Sequence, residues 1–467
     1  MFNLWGVLFI KRSRRISIQG DYLRKYFFSK EYIFSTADYI RRLQRMRFEK
    51  IVQHVMTHSE FYRELYSNNG ISINNISEIQ VTDLPIVDKQ LVMDNFDSVI
   101  CNKLIKKKEL LLFIGDPEKA HSRFMEKYTI IHTSGSSGKL GLFVYDDKDI
   151  NTINVLFSKY TFHLKPLFRM LFQKVVFLGA VDGHYAAYTS FSRFSDYHNP
   201  FLPISVESPI ERIIQQFNDF QPSIIIAYSS MLPKLAAAQI DGQLNISPKT
   251  ITTAGEILTP NQVDISRKAF GIVPRSIYGA SESIIIGSDT ISNDGMCLFN
   301  NWNIMETIGE NNEPVSGDYG QGVLTNLYNY VMPLIRYRMD DILLINRNPV
   351  NRSLPFEVIE GIKGRTEDFL EFSVKGKKAS IHPIVFVEFY VKGLKQIQVI
   401  KKNMAHFKAV VSLTEHTEEV IHDIRKGLQD ILDNQQIGHL VHFDIEVVDE
   451  IPNDPRTGKF KLVVNES

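Results

Sequence analysis

Apolar residues recur at helical spacing through residues 38–70, where Ile40, Leu43, Met46, Ile51, Val55, Phe61 and Leu65 alternate with charged positions. The spacing predicts an amphipathic helix, with Gly70 after the last periodic residue as its stop. Further on, the apolar runs become short. Residues 128–131 and 141–145 read as strands on either side of a Gly/Ser loop. Lys174–Gly179, Ser223–Ala227, Thr250–Thr253 and Arg275–Tyr278 read as further strands, with helical segments such as Ile210–Phe220 and Met231–Gln239 between them. Strand alternating with helix predicts an α/β fold with mainly parallel sheets flanked by helices.

From about residue 298 to 345, Gly and Asn punctuate short apolar pieces, which predicts an antiparallel subdomain. The last hundred residues form another pattern. Residues 395–401 and 407–413 alternate as two paired strands, 417–432 as an amphipathic helix and 440–448 as a strand. The expectation is therefore a large N-terminal α/β region, 1–364, and a small mobile α+β C-terminal domain, 365–467, divided near Gly364–Arg365.

Composition narrows the class. At roughly 100–200 residues per domain, the 467 residues predict two to four units. Lys+Arg and Asp+Glu both number 53, a neutral balance that argues against a nucleic-acid partner. The two cysteines, Cys101 and Cys297, are far apart and lack CxxC spacing, so neither a disulfide framework nor a zinc site is expected. A reducing, cytoplasmic compartment fits. The N-terminal apolar run of about ten residues is short of the roughly 20 that a transmembrane helix needs. Its basic cluster follows the run, the reverse of a secretory signal. A buried or docking segment is expected; the alternative is an interfacial anchor with Trp5 and Phe9 in lipid and Lys11 to Arg15 at the headgroups.

Several short motifs carry candidate chemistry. After His132 come Thr133, Ser134, Gly135, Ser136, Ser137, Gly138 and Lys139. Glycines let backbone N–H groups turn toward an anion, serine hydroxyls add donors, and lysine can follow outer phosphates. The spacing is not that of a P-loop, and a solvated Gly/Ser connection is an equal reading of the motif alone. A second motif runs from Tyr278 through Gly279, Ala280 and Ser281 to Glu282. Tyr278 offers a ring to a base, worth about 1–3 kcal/mol when stacked, and Glu282 offers hard oxygen ligands suited to Mg²⁺. Taken singly, it also reads as a strand-to-helix turn with a capping serine. Asp341 ends an apolar strand-like stretch from Ile335, where a carboxylate would accept from ribose hydroxyls or simply be solvated. Gly364 to Asp368 and Pro455 to Lys459 complete the set.

In this order the motifs resemble the adenylate-forming superfamily of acyl-CoA synthetases, in particular the phenylacetate–CoA ligase branch with its capsule-cluster homologues. Thr133 to Lys139 match the phosphate loop T-S-G-[ST]-[ST]-G-K. Tyr278 to Glu282 match Y-G-x-[ST]-E, Arg336 to Ile342 match R-Y-R-x-x-D-I, Gly364 to Asp368 match the hinge G-R-[TS]-[DE]-D, and Thr457 to Lys459 match the closing lysine motif. Weaker echoes at 84–90, 220–236 and 252–260 extend the resemblance over nearly the whole chain from about residue 38. Leu140, Met339–Asp340, Glu367 and the segment after the hinge depart from the usual wording, and bear on the acceptor step rather than on ATP use.

The resemblance implies an AMP-forming ligase that takes ATP, Mg²⁺ and a small carboxylic acid, with CoA as the co-substrate. Residues 1–364 would bind ATP and acid, and 365–467 would carry the catalytic lysine, Lys459. The 134–139 loop would hold the β- and γ-phosphates, Ser281 would lie at the α-phosphate, and Glu282 would bind Mg²⁺. Tyr278 would stack on adenine, with the Gly255–Glu256 backbone along the other edge. Asp341 would bind the ribose, Arg365 would support the nucleotide, and Glu367 would be the hinge. Gly183, His184, Tyr228 and Ser229 are candidates for the acyl pocket; His184 reads equally as a core histidine. Two alternatives stand beside this reading: a ligase that forms an amide or loads a carrier protein, and a non-enzymatic interaction protein on a decayed fold. No carrier domain follows residue 467, so a carrier is expected to be a separate chain. A homodimer is compatible with this reading.

Overall fold

The computed structural model describes residues 20–26, 36–119, 122–133, 140–161, 173–181, 184, 186–192, 200–206, 208–290, 295–350, 354–365, 370–374, 377–381, 386, 389, 391, 393–414, 417–434, 437–454 and 460–466. The chain divides into two compact units. One is Met1–Met339 with Leu344–Glu360, and the other is Asp340–Leu343 with Gly361–Ser467.

In the first unit, the helical periodicity of 38–70 resolves into two helices, Ala37–His58 and Glu60–Ser67. The break is at Ser59, in extended backbone at φ −104°. Its N–H closes the first helix on the Val55 carbonyl at 2.8 Å, and its hydroxyl accepts from Tyr62 N–H at 3.3 Å to cap the second. Serine favours this capping role over a helix interior, so the apolar stripe survives while the axis turns. Gly70 stops the second helix at φ 73°, as its position predicts.

One mixed sheet of eleven strands organises this unit. Strands β1 (Thr129–His132) and β2 (Leu142–Tyr145) form a separate antiparallel hairpin. The sheet begins with β3 (Val175–Gly179), β4 (Phe201–Ser205), β5 (Ile224–Ala227), β6 (Thr250–Ala254) and β7 (Arg275–Tyr278), paired in parallel in the order β4-β3-β5-β6-β7. Helices Ile210–Phe220, Leu232–Ile240 and Pro260–Phe270 supply crossovers. β3 and β5 are buried along their length, which is why they read as continuous apolar runs rather than as alternation. β4 carries Pro203 and lies at the sheet's end, the one place where a missing N–H is harmless.

The antiparallel texture after residue 298 continues the same sheet. β8 (Gly287–Asp289), β9 (Met296–Leu298), β10 (Asn303–Ile308), β11 (Gly320–Asn326), β12 (Tyr337–Asn346) and β13 (Glu357–Arg365) extend it in the order β7-β8-β9-β13-β12-β11-β10. The second unit is α+β. A hairpin of β14 (Leu370–Val374) and β15 (Lys377–Ile381) accompanies a four-stranded sheet, with β16 (Leu394–Asn403), β17 (His406–Leu413), β18 (His442–Val447) and β19 (Val463–Asn465) in the order β18-β17-β16-β19. Ile424, Leu428 and Leu432 of helix Glu418–Asn434 share its core with Val399 and Phe407.

A buried ion pair holds the entry to β12. Arg336, in left-handed backbone at φ 48°, makes a two-point contact with Glu306 (Nη2–Oε1 2.9 Å, Nε–Oε2 3.1 Å). Its Nη1 donates to the carbonyls of Thr82 and Leu84. Burial pushes the Glu306 carboxyl up, and the guanidinium offsets part of that shift. Removing one partner of such a pair strands a buried charge. Glu306→Ala is therefore expected to cost about 3–5 kcal/mol, read as a lowered denaturant midpoint. An unchanged midpoint would mean that the pair is dispensable.

Candidate active site

The neck of the Gly/Ser loop is set by the β1–β2 hairpin. Beyond the His132–Leu142 pairing, Thr133 N–H donates to the Gly141 carbonyl at 3.0 Å, and Gly141 N–H donates to Thr133 Oγ1 at 2.8 Å. Ser134, Gly135, Ser136, Ser137, Gly138 and Lys139 lie outside the described residues, as does Gly183. His184 stands against the same neck: its carbonyl accepts from His132 N–H at 3.1 Å, and its ring centroid lies 5.2 Å from that of Phe113. Burial pushes the His132 imidazole below its ordinary value, so it is neutral near pH 7.

The second motif is a tight turn at the end of β7. Tyr278 is buried. Its carbonyl accepts from Ile286 N–H at 2.9 Å, and Ala280 N–H donates to the Ser283 carbonyl at 2.9 Å. The turn is fastened from outside by two tyrosines. Tyr145 Oη, at the end of β2, donates to the Ser281 carbonyl at 2.7 Å. Burial, with Tyr328 and Glu282 nearby, pushes the Tyr145 hydroxyl well above its ordinary value, so it remains a donor. Tyr337 Oη, on β12, donates to Glu282 Oε1 at 3.3 Å, and Asn326 Nδ2 reaches the Glu282 carbonyl at 3.4 Å. The hairpin that carries the loop and the turn that carries Glu282 are thus tied together.

A third cluster joins the ends of β5 and β6. Gly255 has φ 81°, a left-handed turn that glycine adopts at no steric cost. The Glu256 carboxylate accepts from Ser230 N–H (2.8 Å), Ser230 Oγ (3.1 Å) and Ser229 Oγ (3.2 Å), and Ser229 Oγ also reaches the Ile257 carbonyl at 2.8 Å. Glu256 is therefore a strut between the two loops. Tyr228 is buried, its ring centroid 6.4 Å from that of Phe177. Asp341 lies partly buried on β12, and Arg365 ends β13. Glu367 and Lys459 lie outside the described residues.

No protein-family model matches the chain. Protein CapK of Staphylococcus aureus is 22% identical, with 96% of each chain covered. A phenylacetate-coenzyme A ligase of Escherichia coli (strain K12) is 22% identical over 72% of this chain and 73% of that one. A solved 2-hydroxyisobutyryl-CoA ligase, in the postadenylation state and in complex with R3-HIB-AMP, matches with a TM-score of 0.70 at 17% identity, covering 95% of this chain and 91% of that one. The chain has the adenylate-forming ligase fold.

Within that adenylate-forming fold, Tyr145 looks in the sequence like an ordinary strand residue. Tyr337 lies inside the Arg336–Ile342 motif and Ser230 beside the candidate acyl wall, but neither is marked there as a fastening residue. No local spacing announces their bonds to Ser281, Glu282 and Glu256, because each bond spans distant chain segments. Among the described residues no group of three or more His, Cys, Asp or Glu side chains could hold a metal. Glu282 is a single carboxylate beside the loop-bearing hairpin. That fits Mg²⁺, which is commonly held by one or two carboxylates together with substrate phosphates and water. No described helix is long and apolar enough to cross a membrane.

Proposed function

We propose that this chain is an AMP-forming ligase that activates a carboxylic acid with ATP and then transfers the acyl group, with CoA as acceptor. The carrying observation is the placement of the Glu282 turn, tied to the loop-bearing hairpin by Tyr145 on Ser281 and to β12 by Tyr337 on Glu282. Similarity to a phenylacetate-coenzyme A ligase supports the same reading.

In the proposed reaction a substrate carboxylate oxygen bonds to the α-phosphorus of ATP while the bond to pyrophosphate breaks. The thiol sulfur then bonds to the acyl carbon of acyl-AMP while that carbon's bond to the AMP oxygen breaks, releasing AMP and the thiol proton. Charge grows on phosphoryl oxygens, so catalysis is positioning plus electrostatic stabilisation. The loop 134–139 is assigned the outer phosphates, and Tyr278 and the Gly255–Glu256 backbone the two sides of adenine. Asp341 is assigned the ribose and Arg365 the nucleotide. Residues 1–364 bind the substrates, and 365–467 bring Lys459 to the reacting atoms by turning at Glu367. Mg²⁺ held at Glu282 would neutralise phosphate charge. The Gly183–His184 and Tyr228–Ser229 segments are the proposed acyl wall, and the site of action is cytoplasmic.

A panel of carboxylic acids scored by acid-dependent ATP–pyrophosphate exchange tests the first half-reaction. CoA-dependent release of AMP with the active acid tests the second. Exchange with no acid in a broad panel would count against adenylation. AMP release that ignores CoA but responds to an amine would redirect the acceptor. Glu282→Ala is expected to raise the Mg²⁺ requirement at least about tenfold, the scale of losing part of a metal's ligand shell. Added Mg²⁺ should then restore part of the rate. A variant with wild-type rate and Mg²⁺ dependence would make Glu282 purely structural.

A further inference from the structure

Behind β12, on the side away from Glu282, the first unit has a surface cavity of about 470 Å³. Successive residues of a strand face opposite ways. Tyr337 reaches Glu282, whereas Arg338 lines this cavity. Leu84, Pro85 and Pro314 form an apolar wall, and Thr82, Asn312 and Arg338 a polar one.

The two arginines at the cavity differ in their charge balance. Arg336 is neutralised by Glu306. Arg338 donates from Nη1 to Gln321 Oε1 at 3.0 Å and from Nη2 to Asn312 Oδ1 at 2.6 Å, both neutral acceptors. Among the described residues no carboxylate pairs with it. Those two bonds leave three of a guanidinium's five N–H groups for another acceptor. The group is also pre-placed, because Arg338 N–H donates to the Val87 carbonyl at 2.8 Å and Gln321 and Asn312 hold the head. Asn312 keeps its amide NH₂ as a further donor, since its oxygen already accepts. An uncompensated, oriented guanidinium with a spare amide donor is a match for an oxyanion. A phosphate, with three acceptor oxygens, uses such a donor set more fully than a carboxylate. The apolar wall and the volume ask for an organic body behind the anion.

We infer that this cavity binds a small organic phosphomonoester, with Arg338 as its anion ligand. The inference does not rest on the proposed adenylation, because binding is read without turnover. The probes are phenyl phosphate and inorganic phosphate, titrated calorimetrically into the full chain. Phenyl phosphate is expected to bind, and more tightly than inorganic phosphate. Asn312→Asp places a carboxylate on Arg338 in nearly the same shape, and Asp tolerates the φ of 65° found there. It should weaken phenyl phosphate at least about tenfold, the scale of losing a charge-assisted hydrogen bond, with an undiminished melting temperature. Arg338→Gln should do the same, and it decides the matter if Asn312→Asp folds poorly. No binding by the wild type would overturn the inference. So would equal affinity for the two probes, or wild-type affinity in both variants, which would place the ligand in the nucleotide site.

Discussion

Gly279→Ala is expected to lower acid-dependent ATP–pyrophosphate exchange about 100-fold, the cost of misplacing reacting groups by about 1 Å. A Cβ at this position would lie 2.0 Å from the Ile284 carbonyl oxygen and 2.9 Å from its carbon. Both are backbone atoms, so no side chain can swing aside. Ile284 is itself held within the turn by Ala280 N–H on Ser283 O and by Ile286 N–H on Tyr278 O. The turn must therefore open, and it carries Tyr278 on one side and Glu282 on the other. Overpacking of this kind costs about 1–3 kcal/mol in stability, which a melting curve would register as a modest drop in a folded protein. Exchange at the wild-type rate, with a wild-type melting temperature, would show that the turn has slack and that its geometry does not set the reaction.

Lys459→Ala is expected to lower the same exchange at least about 100-fold, on the scale of deleting one electrostatic donor to a developing negative charge. The assignment comes from the Thr457-Gly-Lys459 motif at the end of the second unit, in the order the superfamily resemblance requires. A lysine that acts only as charge builds at the α-phosphate stabilises the transition state and not bound ATP. ATP affinity should therefore stay within about twofold while kcat falls. Hydrolysis of a preformed acyl-AMP should be nearly unaffected. A parallel loss of ATP affinity and rate would make Lys459 a ground-state ligand, and an unchanged exchange rate would remove it from the site.

The parts of the fold visible in the sequence are those governed by local periodicity. β3 and β5 announce themselves as apolar runs because both faces of the central sheet are covered there. β16, β17 and helix Glu418–Asn434 show the alternation and the stripe of a half-buried layer. β8 and β9 are three residues each, too short for a period to register. β4 hides behind Pro203, and the turn at Ser59 hides inside an unbroken helical stripe. The site follows the same rule. Tyr278, Ser281 and Glu282 are contiguous, so a motif finds them. Tyr145 is 136 residues from its partner Ser281, and Tyr337 is 55 from Glu282. Contacts of that span are products of the folded sheet and leave no trace in local spacing.

In the proposed reaction the acid's own oxygen bonds to the α-phosphorus of ATP, and that oxygen can be followed. With the active acid in hand, its carboxylate can be labelled with ¹⁸O and a complete turnover analysed by mass spectrometry. One ¹⁸O atom is expected in AMP, none in pyrophosphate, and unlabelled nucleotide in the acid-free control. Label recovered in inorganic phosphate with ADP as the nucleotide product, or AMP formed without any label, would contradict it.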